Sequence, residues 1–304
     1  MAKMTLTVLG SGSAYPSEKR FNTSHILSID DKNFMIDCGE GAQIKLRQYK
    51  IKTHNLNHIF ISHLHGDHCF GLIGLISTFA MLNRKSNLYI HAHADLEKIL
   101  QPQIDYFCQQ MPYQVVFNPI NPRKNTVIFE DKTIQISTIP LKHSIPSCGF
   151  LFEEKTKNRH LIADKIDFYQ IPVKQLHLIK RGADFITTDG ELIPNSALTH
   201  EAEKPKRFAY CSDTIALSKN IPLLHDIDGL YHEATFAESE KDRAKETFHS
   251  TALQAAEIAT KANAGKLIIG HYSARYGKVD KLVEEAKTVF NNTFAAEDGS
   301  VFEI

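Results

Sequence analysis

The heptapeptide Ser62-His63-Leu64-His65-Gly66-Asp67-His68 constrains this chain more than any other stretch. It places four metal-ligating side chains within six residues. Helical residues two apart point in different directions, so one helix face cannot present them all. The preceding His58-Ile59-Phe60-Ile61 reads as a short apolar strand, and residues 69–76 read as the start of a buried helix. The histidines therefore belong to a tight strand-to-helix turn, where Gly66 lets the backbone fold close to an ion. Three imidazoles and a carboxylate suit Zn²⁺ or another borderline first-row metal. The plainer alternative is a histidine-rich surface turn, but a turn between buried elements is a poor place for loose histidines.

The same pattern recurs along the chain. The alternating run 133–139 is followed by His143, the strand-like run 207–211 by Asp213, and the buried run 266–270 by His271. In α/β sheets, sites form at the carboxyl ends of strands. Separate strands can thus gather His63, His65, Asp67, His68, His143, Asp213 and His271. That set exceeds one tetrahedral zinc and suits two ions sharing a carboxylate. The expected division puts His63, His65 and His143 on one ion, Asp67, His68 and His271 on the other, and Asp213 between them. Two such ions, about 3.5 Å apart, activate water and stabilise charge on an attacked phosphate or carbonyl. Taken singly, His143 could be a loop histidine, Asp213 a helix N-cap and His271 a satisfied core histidine. Their common strand-end position argues for the joint reading. The chain has 16 histidines. His91 and His93 alternate on one strand face without an acidic partner and are read as structural or surface residues. His25, His54, His58, His160, His177, His200 and His225 receive no role.

The rest of the chain supports an α/β fold. Strands are expected at 5–9, 25–29, 33–36, 88–92, 113–117, 126–130, 149–152, 229–231 and 300–303, and helices at 42–49, 71–82, 96–107, 252–262 and 280–290. The loop Gly10-Ser11-Gly12-Ser13-Ala14-Tyr15-Pro16 resembles a phosphate-cradling turn made basic by Lys19-Arg20, but no Gly-Lys-Ser/Thr and no helix follow it. Residues 153–206 are dense in charge and lack long apolar strands, which suggests an insertion projecting from the core. Lys plus Arg and Asp plus Glu both total 35, so RNA binding would need local basic patches rather than global charge. Five scattered cysteines without a Cys-x-x-Cys pair favour reduced thiols in a cytoplasm. The first residues lack a secretory pattern, and no apolar run approaches membrane-spanning length.

The His-x-His-x-Asp-His turn with later His, Asp and His resembles the signature of the metallo-β-lactamase superfamily. The chain is similar to its ribonuclease Z branch over most of its length. The likeness includes Leu9-Gly10-Ser11-Gly12-Ser13-Ala14, Asn22-Thr23-Ser24, Ile36-Asp37-Cys38-Gly39-Glu40-Gly41 and Ser212-Asp213-Thr214. The segments His232-Glu233-Ala234-Thr235 and His249-Ser250-Thr251 resemble motifs that separate this branch from lactamases and glyoxalases. The resemblance implies an αβ/βα sandwich of two mixed sheets flanked by helices. Residues 1–304 would form one domain, with a flexible tRNA-binding arm inserted at about 153–206. It further implies two Zn²⁺ ions per subunit, with Mn²⁺ as an alternative, and a homodimer in which one subunit's arm presents precursor tRNA to the other's site. The arm departs from the branch pattern at Ile171-Pro172 and at Ile179-Lys180-Arg181-Gly182, and the loop at 16–22 differs in spacing. The expected chemistry is hydrolysis after the discriminator nucleotide. Asp67 would accept a proton, His249 would donate one to the leaving oxygen, and Glu233 would hold His249. The alternatives are another hydrolase of the same fold, a phosphodiesterase or arylsulfatase, and a non-catalytic tRNA-binding protein.

Overall fold

Central strands have two apolar faces, and a period of two decides what each face meets. In the computed structural model, which describes residues 4–304, Ile59, Ile61, Ile90 and Ala92 pack against helices. Phe60 and His91 lie one residue out of phase and stack on each other at 4.5 Å between ring centres.

Seven strands make one sheet, in the order Val301–Glu303, Met4–Gly10, Ser24–Ile29, Lys32–Cys38, Leu56–Phe60, Leu88–His93 and Val115–Ile120. The first three pairings are antiparallel and the last three parallel. Seven more make the second sheet, in the order Thr293–Ala295, Leu267–Gly270, Gly229–Glu233, Arg207–Cys211, Cys148–Glu154, Ile134–Pro140 and Val127–Glu130. Its first four strands run parallel. The sheets meet through aromatic rings. Phe60 lies 5.5 Å from Phe150 and 5.8 Å from Phe152, and Phe34 lies 6.1 Å from Phe152. Helices Ala42–Gln48, Gly71–Met81 and Asp95–Phe107 cover the first sheet through Leu46, Leu75 and Leu100. Helices Ala252–Lys261 and Asp280–Lys287 cover the second through Ala255, Ala259 and Leu282. Each buried Leu or Ile on these faces contributes roughly 1.5–3 kcal/mol. The result is the expected sandwich of two mixed sheets flanked by helices.

Local details differ from the sequence reading. Asp67 and His68 lie in a one-turn helix, Gly66–Cys69, rather than in the turn itself. A Cβ on Gly66 would collide with the Phe70 ring. Glycine at this position thus leaves room for the Phe70 ring. The strand Thr293–Ala295 is too short for its periodicity to reveal it.

Residues 130–135 and 153–205 form a second compact unit. It contains helices Ala163–Phe168, Val173–Lys180 and Asn195–Leu198 and two short strand pairs. Its core gathers Ile171, Ile179, Phe185, Ile193 and Leu198. The departures at Ile171 and Ile179 are thus core residues of this unit. Gly182, at φ +102°, ends the Val173–Lys180 helix in a left-handed turn. Asn195 Nδ2 donates to the carbonyls of Ile179, in the last turn of the helix, and Ala183, just beyond it, both at 2.7 Å. Among the described residues no helix is long and apolar enough to cross a membrane, and all five cysteines are free.

Candidate metal centre

The parallel strands deliver their carboxyl ends to one edge of the sandwich. Leu56–Phe60 leads to His63, Arg207–Cys211 to Asp213 and Leu267–Gly270 to His271. Asp213 and His271 take left-handed backbone angles, φ 54° and 60°, as does Asp37 at 56° near the end of Lys32–Cys38. Such conformations are unfavourable for non-glycine residues and persist where their surroundings over-determine them.

The side chains fall into two groups joined by Asp213. In one, His65 Nδ1 lies 3.0 Å from His63 Nε2 and 3.2 Å from His143 Nε2. Asp213 Oδ1 stands 3.6 Å from His143 Nε2 and 3.8 Å from His63 Nε2. In the other, Asp213 Oδ2 lies 3.0 Å from His68 Nε2 and 3.2 Å from His271 Nε2, and Asp67 Oδ2 stands 3.5 and 3.6 Å from the same two nitrogens. Ligands about 2.05 Å from a tetrahedral zinc stand about 3.3 Å apart. The spacing in both groups is that of ligand edges around an ion.

These residues fit a divalent metal on a further ground. The Nε2 atoms of His68 and His271 are buried, and neither has a hydrogen-bond partner among the described residues. An unsatisfied buried nitrogen is costly, and a cation at the focus of these lone pairs removes that cost. Burial pushes the pKa of His63, His65 and His143 down, which keeps them in the neutral, ligating form. At His68 burial also disfavours charge, but Asp213, Asp67 and Asp37 outweigh it and raise the pKa. The field that favours a proton there also favours a metal cation. Asp67 and Asp213 are opposed by burial, yet neighbouring imidazoles hold both carboxyls well below their ordinary range.

An outer ring of donors and acceptors sets the tautomers. His68 Nδ1 meets Asp37 Oδ2 at 2.8 Å, His63 Nδ1 meets Ser62 Oγ at 3.0 Å, His271 Nδ1 meets Thr235 Oγ1 at 2.9 Å and His143 Nδ1 meets the Phe248 carbonyl at 3.3 Å. With Nδ1 carrying the proton, Nε2 is free to ligate. Asp37, fully buried, also accepts from Ser62 N and Oγ and from the Tyr210 hydroxyl. Sequence reasoning missed Asp37, Ser62 and Thr235 as support. Asp37 carried the signal used elsewhere, an acidic residue closing an apolar strand.

His249 and Glu233 are brought together beside the first group. His249 Nδ1 lies 3.0 Å from Glu233 Oε1 and 3.9 Å from Asp213 Oδ1. Burial alone would lower the His249 pKa, but the Glu233 carboxylate overcomes it and raises it to about 9. Glu233 is fully buried and also accepts from Thr214 N, Thr235 Oγ1 and Ser250 N. The helix cap is Thr251, through a capping box with Gln254, so His249 stands outside the helix.

The loop after Met4–Gly10 is not a phosphate cradle. Its backbone donors are already used: Ser11 N on Asp298, Gly12 N on Phe21 O, Ser13 N on Tyr272 O and Ala14 N on Asp67 Oδ2 at 2.8 Å. Arg20 is buried, donates to the Tyr276 carbonyl at 2.7 Å and covers the Tyr272 ring. Of the two basic residues in this loop, only Lys19 is exposed. His91 and His58, left without a metal role, meet nitrogen to nitrogen at 3.1 Å between the sheets.

Comparison with known proteins agrees with this geometry. A family model described as "Anti-Pycsar protein Apyc1" matches residues 4–204. Ribonuclease Z of Phocaeicola vulgatus is 55% identical over 298 residues, covering 98% of this chain and 96% of that protein. Ribonuclease Z of Parabacteroides distasonis is 53% identical and covers 98% of both chains. Among solved structures, the short form of human tRNase Z superposes with a TM-score of 0.71 at 24% identity over 98% of each chain, a likeness of fold. With full-length identity above one half and the same sandwich around a His/Asp cluster, the chain belongs to the ribonuclease Z family, in the metallo-β-lactamase fold, and its first two thirds also match the Apyc1 family.

Proposed function

We propose that this protein is a zinc-dependent endoribonuclease that removes the 3′ trailer from precursor tRNA. The cut falls after the discriminator nucleotide, leaving a tRNA 3′-hydroxyl and a trailer 5′-phosphate. The observation that carries the reading is the His249–Glu233 pair at 3.0 Å beside an Asp213-centred ligand cluster. A ribose 3′-oxygen is a poor leaving group without a proton, and this pair supplies one. The names of the relatives, Ribonuclease Z, and of the human structure, tRNase Z, support tRNA as substrate. The Apyc1 match ends at residue 204, before Asp213, Glu233, His249 and His271. It therefore leaves the proton-donor pair unaddressed.

His63, His65, His143 and Asp213 would hold one ion, and Asp67, His68, His271 and Asp213 the other. Zinc bound there supplies Lewis-acid charge that lowers the pKa of water towards neutrality and offsets phosphate charge; manganese is the alternative. Asp67, kept ionised by His68 and fixed by Ala14 N, accepts a hydrogen bond from the attacking water and then its proton. The water oxygen bonds to phosphorus as the P–O3′ bond breaks. His249 donates its proton to the departing O3′, and Glu233 stabilises the imidazolium before transfer and fixes its tautomer. The unit at 153–205 serves as the tRNA-gripping arm of a single catalytic domain, and a cytoplasmic homodimer brings the arm of one subunit to the other's centre.

The test is cleavage of a 3′-extended precursor tRNA by zinc-loaded protein, mapped at nucleotide resolution beside Asp67→Ala. The expected result is one zinc-dependent cut after the discriminator, lost in the variant. Absence of that cut, with a small phosphodiester or aryl sulfate still hydrolysed, would move the protein to another branch of the fold.

A further inference from the structure

Two large aromatic side chains next to the metal centre are turned to solvent. Tyr15 is 64% exposed and Phe70 is 70% exposed. Burying either ring would be favourable, yet both stay outside a core that takes in Phe34, Phe60, Phe150 and Phe152 completely. Their backbones are tied to the turn that carries Asp67. Ala14 N bonds Asp67 Oδ2 at 2.8 Å, so the Cα of Tyr15 lies within about 8 Å of that carboxylate. Tyr15 N bonds Ser13 O, and Ser13 N and Oγ both bond the Tyr272 carbonyl, so the position of Tyr15 is braced from behind. Phe70 follows His68 by two residues and its ring lies against Gly66, where any Cβ would strike it. The glycine leaves room for the ring to rest on the turn between two ligating histidines. Aromatic rings held on rigid backbone beside a phosphate-cleaving centre are suited to stack on nucleobases, because every base has a π face.

We infer that Tyr15 and Phe70 are stacking platforms for the two nucleobases flanking the scissile phosphate, and that they set its position over the ligand cluster. The inference rests on the RNA-cleavage reading above and adds substrate-positioning residues to it. No charged side chain is involved, so the contact tolerates any base and is lost when a base is removed.

The experiment is a cycle of ring removal against base removal. Tyr15→Ala, Phe70→Ala and the ring-keeping Tyr15→Phe and Phe70→Tyr are assayed on 3′-extended precursor tRNA. The substrate is intact, or abasic at the nucleotide on either side of the cut. Each alanine variant should lower kcat/KM by about 5- to 100-fold, with zinc content unchanged and most of the loss restored by the ring-keeping variant. An abasic site at the matching nucleotide should slow the wild type by a similar factor and add little to the alanine variant. As a binding readout, 2-aminopurine at that nucleotide of a non-cleavable substrate should be quenched by the wild type and not by the alanine variant. Penalties that multiply independently, or quenching that survives ring removal, overturn the inference while leaving the RNA reading intact. A wild-type protein that does not cut precursor tRNA overturns both.

Discussion

Replacing Glu233 by Gln tests the proposed proton donation apart from the proposed metal binding. The substitution keeps the side chain's size but removes the charge that holds the His249 pKa at about 9 against burial. Without that charge burial is opposed only by the more distant Asp213 carboxylate, and His249 falls to its ordinary 6.5 or below. The fraction protonated at pH 8 then falls from about 90% to about 3% or less, roughly a thirtyfold or larger loss of the acid form, whereas the loss at pH 6 is far smaller. The sign follows from the role: a donor must carry its proton, so activity is retained at low pH and lost as pH rises through the donor's pKa. The wild type should therefore hold its rate until pH approaches 9, and the variant should lose it from about pH 6.5 or below. The assay is single-turnover cleavage of end-labelled precursor tRNA from pH 5.5 to 9.5 with enzyme in excess. Zinc content and thermal midpoint are measured in parallel, because Glu233 also accepts from Thr214 N, Thr235 Oγ1 and Ser250 N. An equal loss at pH 6 and pH 8, with the alkaline limb unmoved, would refute the proton-donor reasoning.

Further expectations concern the support of the site. Asp37→Asn removes the carboxylate behind His68 and Ser62 and should weaken zinc affinity by about 10- to 100-fold; chelator-buffered titration checks this, and unchanged affinity would remove Asp37 from the outer ring. Thr235→Val deletes the hydroxyl between His271 Nδ1 and Glu233 Oε2, and urea unfolding should register a loss of about 1–3 kcal/mol for the groups left unpaired. Gly71→Ala would drive a methyl into the Gly39 carbonyl. Backbone there cannot swing aside, so the cost should be about 1–3 kcal/mol, with displaced ligands visible as lower zinc occupancy. Chelation of the metal should lower the thermal midpoint, since ligand at 100 times its Kd contributes about 2.7 kcal/mol to the folded state; an unshifted midpoint would place the ions outside the folding equilibrium.

The residues gathered in the candidate centre were legible in the sequence because their signal is local. An apolar strand announces itself by periodicity, and a histidine or aspartate just past its end is placed by the geometry of α/β sheets. The general sandwich followed from the same runs. What surrounds the ligands was not legible, because it is assembled from contacts distant along the chain. Asp37 reaches Ser62 and Tyr210, 25 and 173 residues away, and nothing in its own neighbourhood records either partner. Arg20 looked like a basic surface residue, and only the folded chain turns it inward onto Tyr276 O and the Tyr272 ring. Beside Gly66 the fold also places the Phe70 ring, a neighbour that the glycine alone does not announce. The sequence by itself determined which atoms can bind a metal and at which sheet edge they gather. Tertiary structure alone decided how their tautomers are set, which carboxylate keeps His249 protonated, and which rings face the solvent beside them. Residue type and period are properties of a segment, whereas hydrogen-bond partners and burial are properties of the packed whole.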